Sequence, residues 1–467
     1  NLKEKLMSSR LCSSLALSAV LLFCLPCQLF GHDSHGQADI NRPAFGPGTA
    51  SITKAIEFFE RKANASENDV LSRIVLGQLY LKAAKTDHDH SAVRLAFDRL
   101  RQAQSLAPEN AEVEITLAQA CMAVHQFERA IQYATRVLQR DPGDIGALAV
   151  LGDARFESGR YEKAFETYQQ LSDASSAPGV QARLAQVDEL RGNLSQARKR
   201  LTNAIESLEA RDQTAHSAAW YLARRGDMAL MRGDTDEAQR DYELALSRDR
   251  YCPDAMLGMA RVMASRGDLT AGIHWCRQSL EESQSTDAKL YLIQLYQSEG
   301  QLRSAAKMVD DVLRDLHDHT HPHGHESNHG HQHVKHRHDH DGEPTTLHHR
   351  QIAELMLDRH IDDARALRLA QFEWQRRHDV KTAEILAWAY FKNGRPNEAK
   401  YILDKATRWG TRQPSFLFRA AVIHDAMGES QQAKAFLERL IAGNPRVLIG
   451  HVKEMKSLCG KYDLQLD

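Results

Sequence analysis

A repeat period constrains this chain more than any other feature. Set AEVEITLAQACMAVHQFERAIQYATRVLQRDPGD (residues 111–144) above IGALAVLGDARFESGRYEKAFETYQQLSDASSA (residues 145–177). Leu117 falls on Leu151, Ala118 on Gly152, Ala130 on Ala164 and Val137 on Leu171, a spacing of 34 residues. The phase returns along the chain. Small residues recur at Ala96, Ala130, Ala164, Ala197, Ala238, Gly272, Ala305, Ala364, Ala399 and Ala433. A glycine precedes most of them, at Gly159, Gly192, Gly233, Gly267, Gly300, Gly394 and Gly428, and Pro108, Pro142 and Pro445 close repeats at the same phase.

Each period reads as a helical hairpin. Apolar and small residues at 3.6-residue spacing give each helix one packing face. The glycine ends the first helix in a left-handed conformation, and the small residue lets the second helix approach closely. Proline stops that second helix. A single hairpin cannot bury its own face and needs stacked neighbours, so the expected fold is an all-α solenoid. Aromatic residues make up only 7% of the chain, and the alternation that strands require is scarce.

The stretches LGQLY and AFDRLRQAQSLAP, LGDARFESGRYEKAFETY, and LAWAYFKNGRPNEAKYILDKA resemble the degenerate pattern of the tetratricopeptide repeat family. That resemblance implies a right-handed superhelix whose first helices line a concave groove for a protein or peptide partner. Hairpins are expected to begin near Val70, Ala111, Ile145, Pro178, Ala219, Pro253, Thr286, Thr345, Val380 and Pro414. Residues 51–63 read as the second helix of a half-repeat and residues 446–460 as a capping helix, with a short tail to 467. The array is thus expected over residues 51–316 and 345–445, with residues 317–344 a disordered insertion.

Other departures from the period occur around KTDHDHS (residues 85–91) and EARDQTAHS (residues 209–217). The insertion is the larger anomaly: histidine fills eleven of the twenty-five positions from 317 to 341. Neutral imidazole suits Zn²⁺, Ni²⁺ and Cu²⁺. In an extended chain alternate side chains share one side, so His317, His319, His321, His323 and His325 can act together. His329, His331, His333, His336, His338 and His340 complete the candidate ligand set. Ordering the backbone costs about 1–2 kcal/mol per residue, so the expectation is several moderate binding modes rather than one tight site.

HESNH (residues 325–329) matches the HExxH pattern of zinc hydrolases, in which a helix aligns two histidines beside a glutamate base. Pro322, Gly324 and Gly330 around the match oppose a helix, so this reading ranks last. HDSH (residues 32–35) and DHDH (residues 87–90) are shorter echoes of the same composition. No phosphate-binding loop, dinucleotide fingerprint or nucleophile elbow is present, and no catalytic residue or required cofactor is expected.

In the implied groove, one inward position reads Gln78, Gln119, Asp153, Gln186, Asp227, Arg261, Gln294 and Trp388. Amides and carboxylates suit an extended peptide, whose backbone offers donors and acceptors together. A formal net charge of −2 gives no overall field for nucleic acid, and the groove row lacks the basicity that phosphates demand. Lys3, Lys5 and Arg10 precede the apolar run LALSAVLLFCLPCQLF, which reads as a signal peptide ending near Gly31, with Met7 as a start that leaves it more compact. An uncleaved membrane anchor is the alternative. Only Cys121, Cys252, Cys276 and Cys459 lie beyond that segment, without metal-ligand spacing. The sequence therefore points to an exported, non-enzymatic scaffold with a metal-binding loop. The rival reading is a metallochaperone or metal-transporter accessory that docks the loop beside a membrane partner.

Overall fold

The computed structural model describes residues 48–87, 90–209, 215–320 and 349–466, and over these every regular element is helical. Helix α1 (Gly48–Ala65) leads the array and packs on the first hairpin, where Tyr80 and Arg99 both reach Glu60. Seven hairpins follow. The first three are α2 (Val70–Asp87) with α3 (His90–Leu106), α4 (Ala111–Ala123) with α5 (Phe127–Arg140), and α6 (Ile145–Glu157) with α7 (Tyr161–Ala174). Next come α8 (Pro178–Leu190) with α9 (Leu194–Glu209) and α10 (Ala215–Met231) with α11 (Thr235–Arg248). Hairpins 6 and 7 are α12 (Pro253–Ser265) with α13 (Leu269–Glu282) and α14 (Thr286–Ser298) with α15 (Leu302–Thr320). After residues 321–348, hairpins 8 to 10 are α16 (His349–Arg359) with α17 (Asp363–Arg376), α18 (Val380–Lys392) with α19 (Pro396–Thr407), and α20 (Pro414–Ala426) with α21 (Ser430–Ile441). Two 3-10 turns, Pro445–Val447 and Ile449–His451, lead into α22 (Val452–Lys461).

Local chemistry sets these boundaries. Asn110, Asp144 and Asp379 cap α4, α6 and α18 by accepting the backbone N–H of Val113, Ala147 and Thr382. Proline opens α8, α12, α18's partner α19, and α20, where its missing N–H is not needed. The recurring glycines all have positive φ. His125 (φ +56°) and His360 (φ +51°) take their place in hairpins 2 and 8, which the glycine row skips.

The small-residue row is buried as the period requires, with one correction. In hairpin 8 the sealed residue is Ala366, while Ala364 is exposed. The turn there is one residue longer: His360 is left-handed, Ile361 follows, and Asp362 caps α17 from outside. Three boundaries also differ from expectation. Helix α10 begins at Ala215, within the departure at residues 209–217 and ahead of the expected start near Ala219. The backbone of α15 stays helical through residues 317–320, so His317 and His319 belong to a helix end rather than an extended chain. The expected capping helix begins later, at Val452. It still covers the last hairpin, with Met455 and Cys459 buried in its core. Across residues 321–348 the stack is continuous, since Ile293 of α14, Val312 of α15 and Leu355 of α16 share one apolar cluster.

The array coils until hairpins 8 to 10 return against hairpins 3 to 5, and one apolar core contains residues of hairpins 3, 4 and 8 to 10. The register is parallel. The turn of hairpin 3 meets the link between hairpins 8 and 9, where His378 N–H donates to Ser158 O (3.0 Å). The turn of hairpin 4 meets the link between hairpins 9 and 10, and the turn of hairpin 5 meets Gly443. The two 3-10 turns then pack on α12 and α14. A Cβ on Gly159 would lie 2.3 Å from the His378 carbonyl carbon, and one on Gly192 would lie 2.5 Å from Gly410 O. Nothing approaches Gly267, Gly300, Gly394 or Gly428 within 4 Å. Glycine is therefore required twice over along this seam, by conformation and by space.

Buried charge reinforces the contact. Arg377 donates to Glu157 Oε2 (2.9 Å) and to Asp379 Oδ2 (2.7 Å), all three side chains being buried. Val380 N–H donates to the Tyr161 hydroxyl oxygen (2.9 Å), and Gln413 Nε2 donates to Glu189 (3.0 Å). Burial alone would raise the Asp379 carboxyl, but Arg377 and Arg350 hold it well below the usual carboxylate range.

Candidate functional site

The expected groove row is present as a row on successive first helices, but its members differ in role. Gln78, Gln119, Gln186 and Gln294 are half-buried. Gln78 is hydrogen-bonded to Glu112, whose carboxyl burial pushes up. Asp153 is not a free groove group. It accepts two bonds from Arg183 (both 2.8 Å) and one from the Tyr168 hydroxyl (2.9 Å), all buried. Asp227 likewise accepts from Arg224 (2.7 Å) and Tyr242 (2.8 Å), while Arg224 also reaches Glu189 (2.6 Å). Arg261 lies over the Tyr291 ring at 5.7 Å.

In hairpins 8 to 10 the same face is an internal ion network. Arg419 of α20 donates to Glu384 (2.6 Å) and pairs with Glu354 (2.9 Å) and Asp358 (3.2 Å). Lys381 joins Glu354 at 3.1 Å. Burial would raise the Glu354 carboxyl, but Lys381 and Arg419 outweigh it and hold it down to about 2. Trp388 is buried rather than presented, and its indole N–H donates to Asp358 (3.2 Å). Charges are thus handed from one hairpin to the next, which fixes the first helices against one another. Of the half-buried amides, Gln78 is bonded to Glu112 and Gln294 lies beside Gly450 of the second 3-10 turn, while Gln186 sits between the hairpins of Asp153 and Asp227.

Of the candidate metal ligands, His317 and His319 fall on the backbone end of α15. His321, His323, His325, His329, His331, His333, His336, His338 and His340 lie outside the described residues, as do the HExxH match and HDSH. Among the described residues no three His, Cys, Asp or Glu side chains are grouped to hold a metal ion. No described helix is long and apolar enough to cross a membrane, and the leading apolar run is outside the described residues. Cys121, Cys252, Cys276 and Cys459 are buried free thiols, and burial pushes those of Cys121 and Cys276 up to about 12. They behave as small apolar residues.

The seam was invisible to period reading. Its residues sit in turns and links, where the repeat pattern is silent. Gly410 and Gly443, glycines outside the recurring row, were the signals that could have marked it.

Tetratricopeptide repeat models match residues 91–151, 122–177, 223–287 and 416–446. No curated protein matches the chain. Among solved structures it is similar to a tetratricopeptide repeat protein from Parabacteroides merdae ATCC 43184, at 14% identity and a TM-score of 0.39, over 50% of this chain and 88% of that one. It is also similar to a human IFIT1 dimer with PPP-AAAA, at 11% identity and a TM-score of 0.44, over 84% and 87%. A third is YrrB, described as a TPR protein with an unusual peptide-binding site, at 17% identity and a TM-score of 0.28, over 39% and 91%. Likenesses of this size carry no argument about ligands. The repeat phase, the stacked hairpins and the matching models together show that the chain belongs to the tetratricopeptide repeat family.

Proposed function

We propose that the protein is a non-enzymatic, exported scaffold that holds a protein or peptide partner along its inner helix row. Tetratricopeptide repeat proteins as a class serve as protein-interaction scaffolds. The supporting observation is the half-buried amide of Gln186, set between Asp153 and Asp227, whose charges are already matched internally. Amides both donate and accept, which suits a peptide backbone. Replacing Gln186 by a photo-crosslinking residue tests this, with Leu244 on the outer surface, 41% exposed, as control. Capture of one partner at Gln186 and not at Leu244 is expected. Equal capture at both positions removes the inner row as the recognition face.

A second activity belongs to the histidine-rich segment, which supplies divalent transition-metal ligands to whatever the scaffold holds. Its support is compositional: eleven imidazoles within residues 317–341. Export rests on the basic flank and apolar run at the front of the chain. A role as metallochaperone or transporter accessory would combine the two activities.

A further inference from the structure

Folding gathers on the outer side of the seam a set of cations that no single stretch of sequence contains. Arg160 and Arg191 come from the turns of hairpins 3 and 4, and His378, Lys405, Arg408 and Arg412 from hairpins 8 to 10 and their links. All six are exposed. Aromatic rings tie them together. His378 packs on Trp374 (4.5 Å), and Lys405 lies over Tyr401 (4.2 Å) and near Trp374 (5.9 Å). Arg408 covers Trp409 (4.5 Å), which meets Phe165 edge-on (5.7 Å), and Arg191 covers Phe165 (4.4 Å). Arg412 lies beside Gly192.

These charges exceed their local carboxylates. Arg160 pairs with Glu128 and Arg408 with Glu162 (3.1 Å). Arg191, Lys405 and Arg412 have no carboxylate partner among the described residues. Burial first, then the nearby cations Lys405 and Arg160, lower the proton affinity of His378, with Asp379 opposing. Burial first, and then Arg412, do the same to Arg439. Like charges held this close favour an anion between them.

The rings decide which kind. Cations lie over Phe165, Trp409 and Tyr401, so the rings serve to hold the cations in place. An arginine resting on a ring keeps N–H edges for a planar carboxylate. We propose that this seam surface binds an acidic segment of a protein partner, with carboxylates engaging Arg191, Lys405 and Arg412. The surface is separate from the inner helix row and does not depend on what that row holds.

The test uses the whole chain and a fluorescein-labelled poly-glutamate peptide, read by anisotropy. The triple variant Arg191→Glu, Lys405→Glu, Arg412→Glu should bind at least about tenfold more weakly, since tenfold is only about 1.4 kcal/mol spread over three contacts. Lys54→Glu, Arg240→Glu, Lys434→Glu, three exposed cations elsewhere, makes the same change in net charge and should bind as the parent does. Without any variant, an NMR titration of His378 should move to higher pH when the peptide is present. Equal weakening in both triples, or an unmoved His378, overturns the proposal. Tighter binding of a single-stranded oligonucleotide of equal charge, or of phosphatidylserine vesicles, overturns its acidic-peptide class.

Discussion

Arg377 and Glu157, 220 positions apart in sequence, form a buried ion pair 2.9 Å long. The pair joins hairpin 3 to the link after hairpin 8, and Asp379 takes the other side of the guanidinium. Breaking it by Arg377→Met takes the guanidinium away from buried Glu157 and leaves Arg350 as the remaining cation beside Asp379. The expected loss is about 3–5 kcal/mol in urea unfolding. A loss below about 1 kcal/mol, typical of an exposed pair, would mean that the seam is held by other contacts.

Glycine substitutions separate conformation from space. Gly159 and Gly267 share a left-handed backbone, yet only Gly159 faces another chain segment. Gly267→Ala should cost about 1 kcal/mol from backbone strain alone, and Gly159→Ala at least about 2 kcal/mol more, because the His378 carbonyl must move. Equal melting shifts for the two variants would contradict the observed approach.

The corrected phase of hairpin 8 makes its own prediction. Ala366→Leu inserts atoms into a sealed contact and should destabilise by about 1–3 kcal/mol. Ala364→Leu, on the exposed side, should stay within about 0.5 kcal/mol. The reverse ranking in thermal melts would restore the original 34-residue phase at that hairpin.

Acid should loosen the returning hairpins. The folded chain holds Glu354 near 2 against an ordinary 4.5, and Asp379 is lowered as well. Both carboxyls bind protons more weakly when folded, so their contribution is present above the ordinary carboxylate range and is lost as pH falls toward 2. Urea midpoints should decline across that window. Lys381→Met removes one of the cations that lower Glu354 and should flatten the decline; an unchanged slope would assign the acid sensitivity elsewhere.

For the histidine-rich segment, calorimetry with Zn²⁺ or Ni²⁺ on the chain with and without residues 317–341 is decisive. Binding should disappear with the deletion, and in the full chain it should fade as pH drops through about 6.5, where protons compete for imidazole. Undiminished heat from the deleted chain would place the ligands elsewhere.

Much of this fold was written in its periodicity. The first helices of hairpins begin at Val70, Ala111, Ile145, Pro178, Pro253, Thr286, Val380 and Pro414, as spacing alone requires. A period reports what each hairpin shares with its neighbour in sequence, and it fails where one differs. It misplaced Ala366 because a left-handed histidine and a longer turn replace the usual glycine. It took Asp153 and Trp388 as groove groups because position along a helix does not reveal Arg183 or Asp358 arriving from another hairpin. The cationic surface at Arg191 and Arg412 was the least legible, since its members become neighbours only after the array has coiled on itself.

That coiling alters the mechanics of the array. A repeat stack joined only to its sequence neighbours behaves as a spring: its pitch yields, and stability adds up link by link. Here adjacent coils are riveted at Gly159, Gly192 and Gly233 and by Arg377. The spacing of the hairpins is therefore set by contacts between coils as well as between sequence neighbours, so the array cannot lengthen one link at a time.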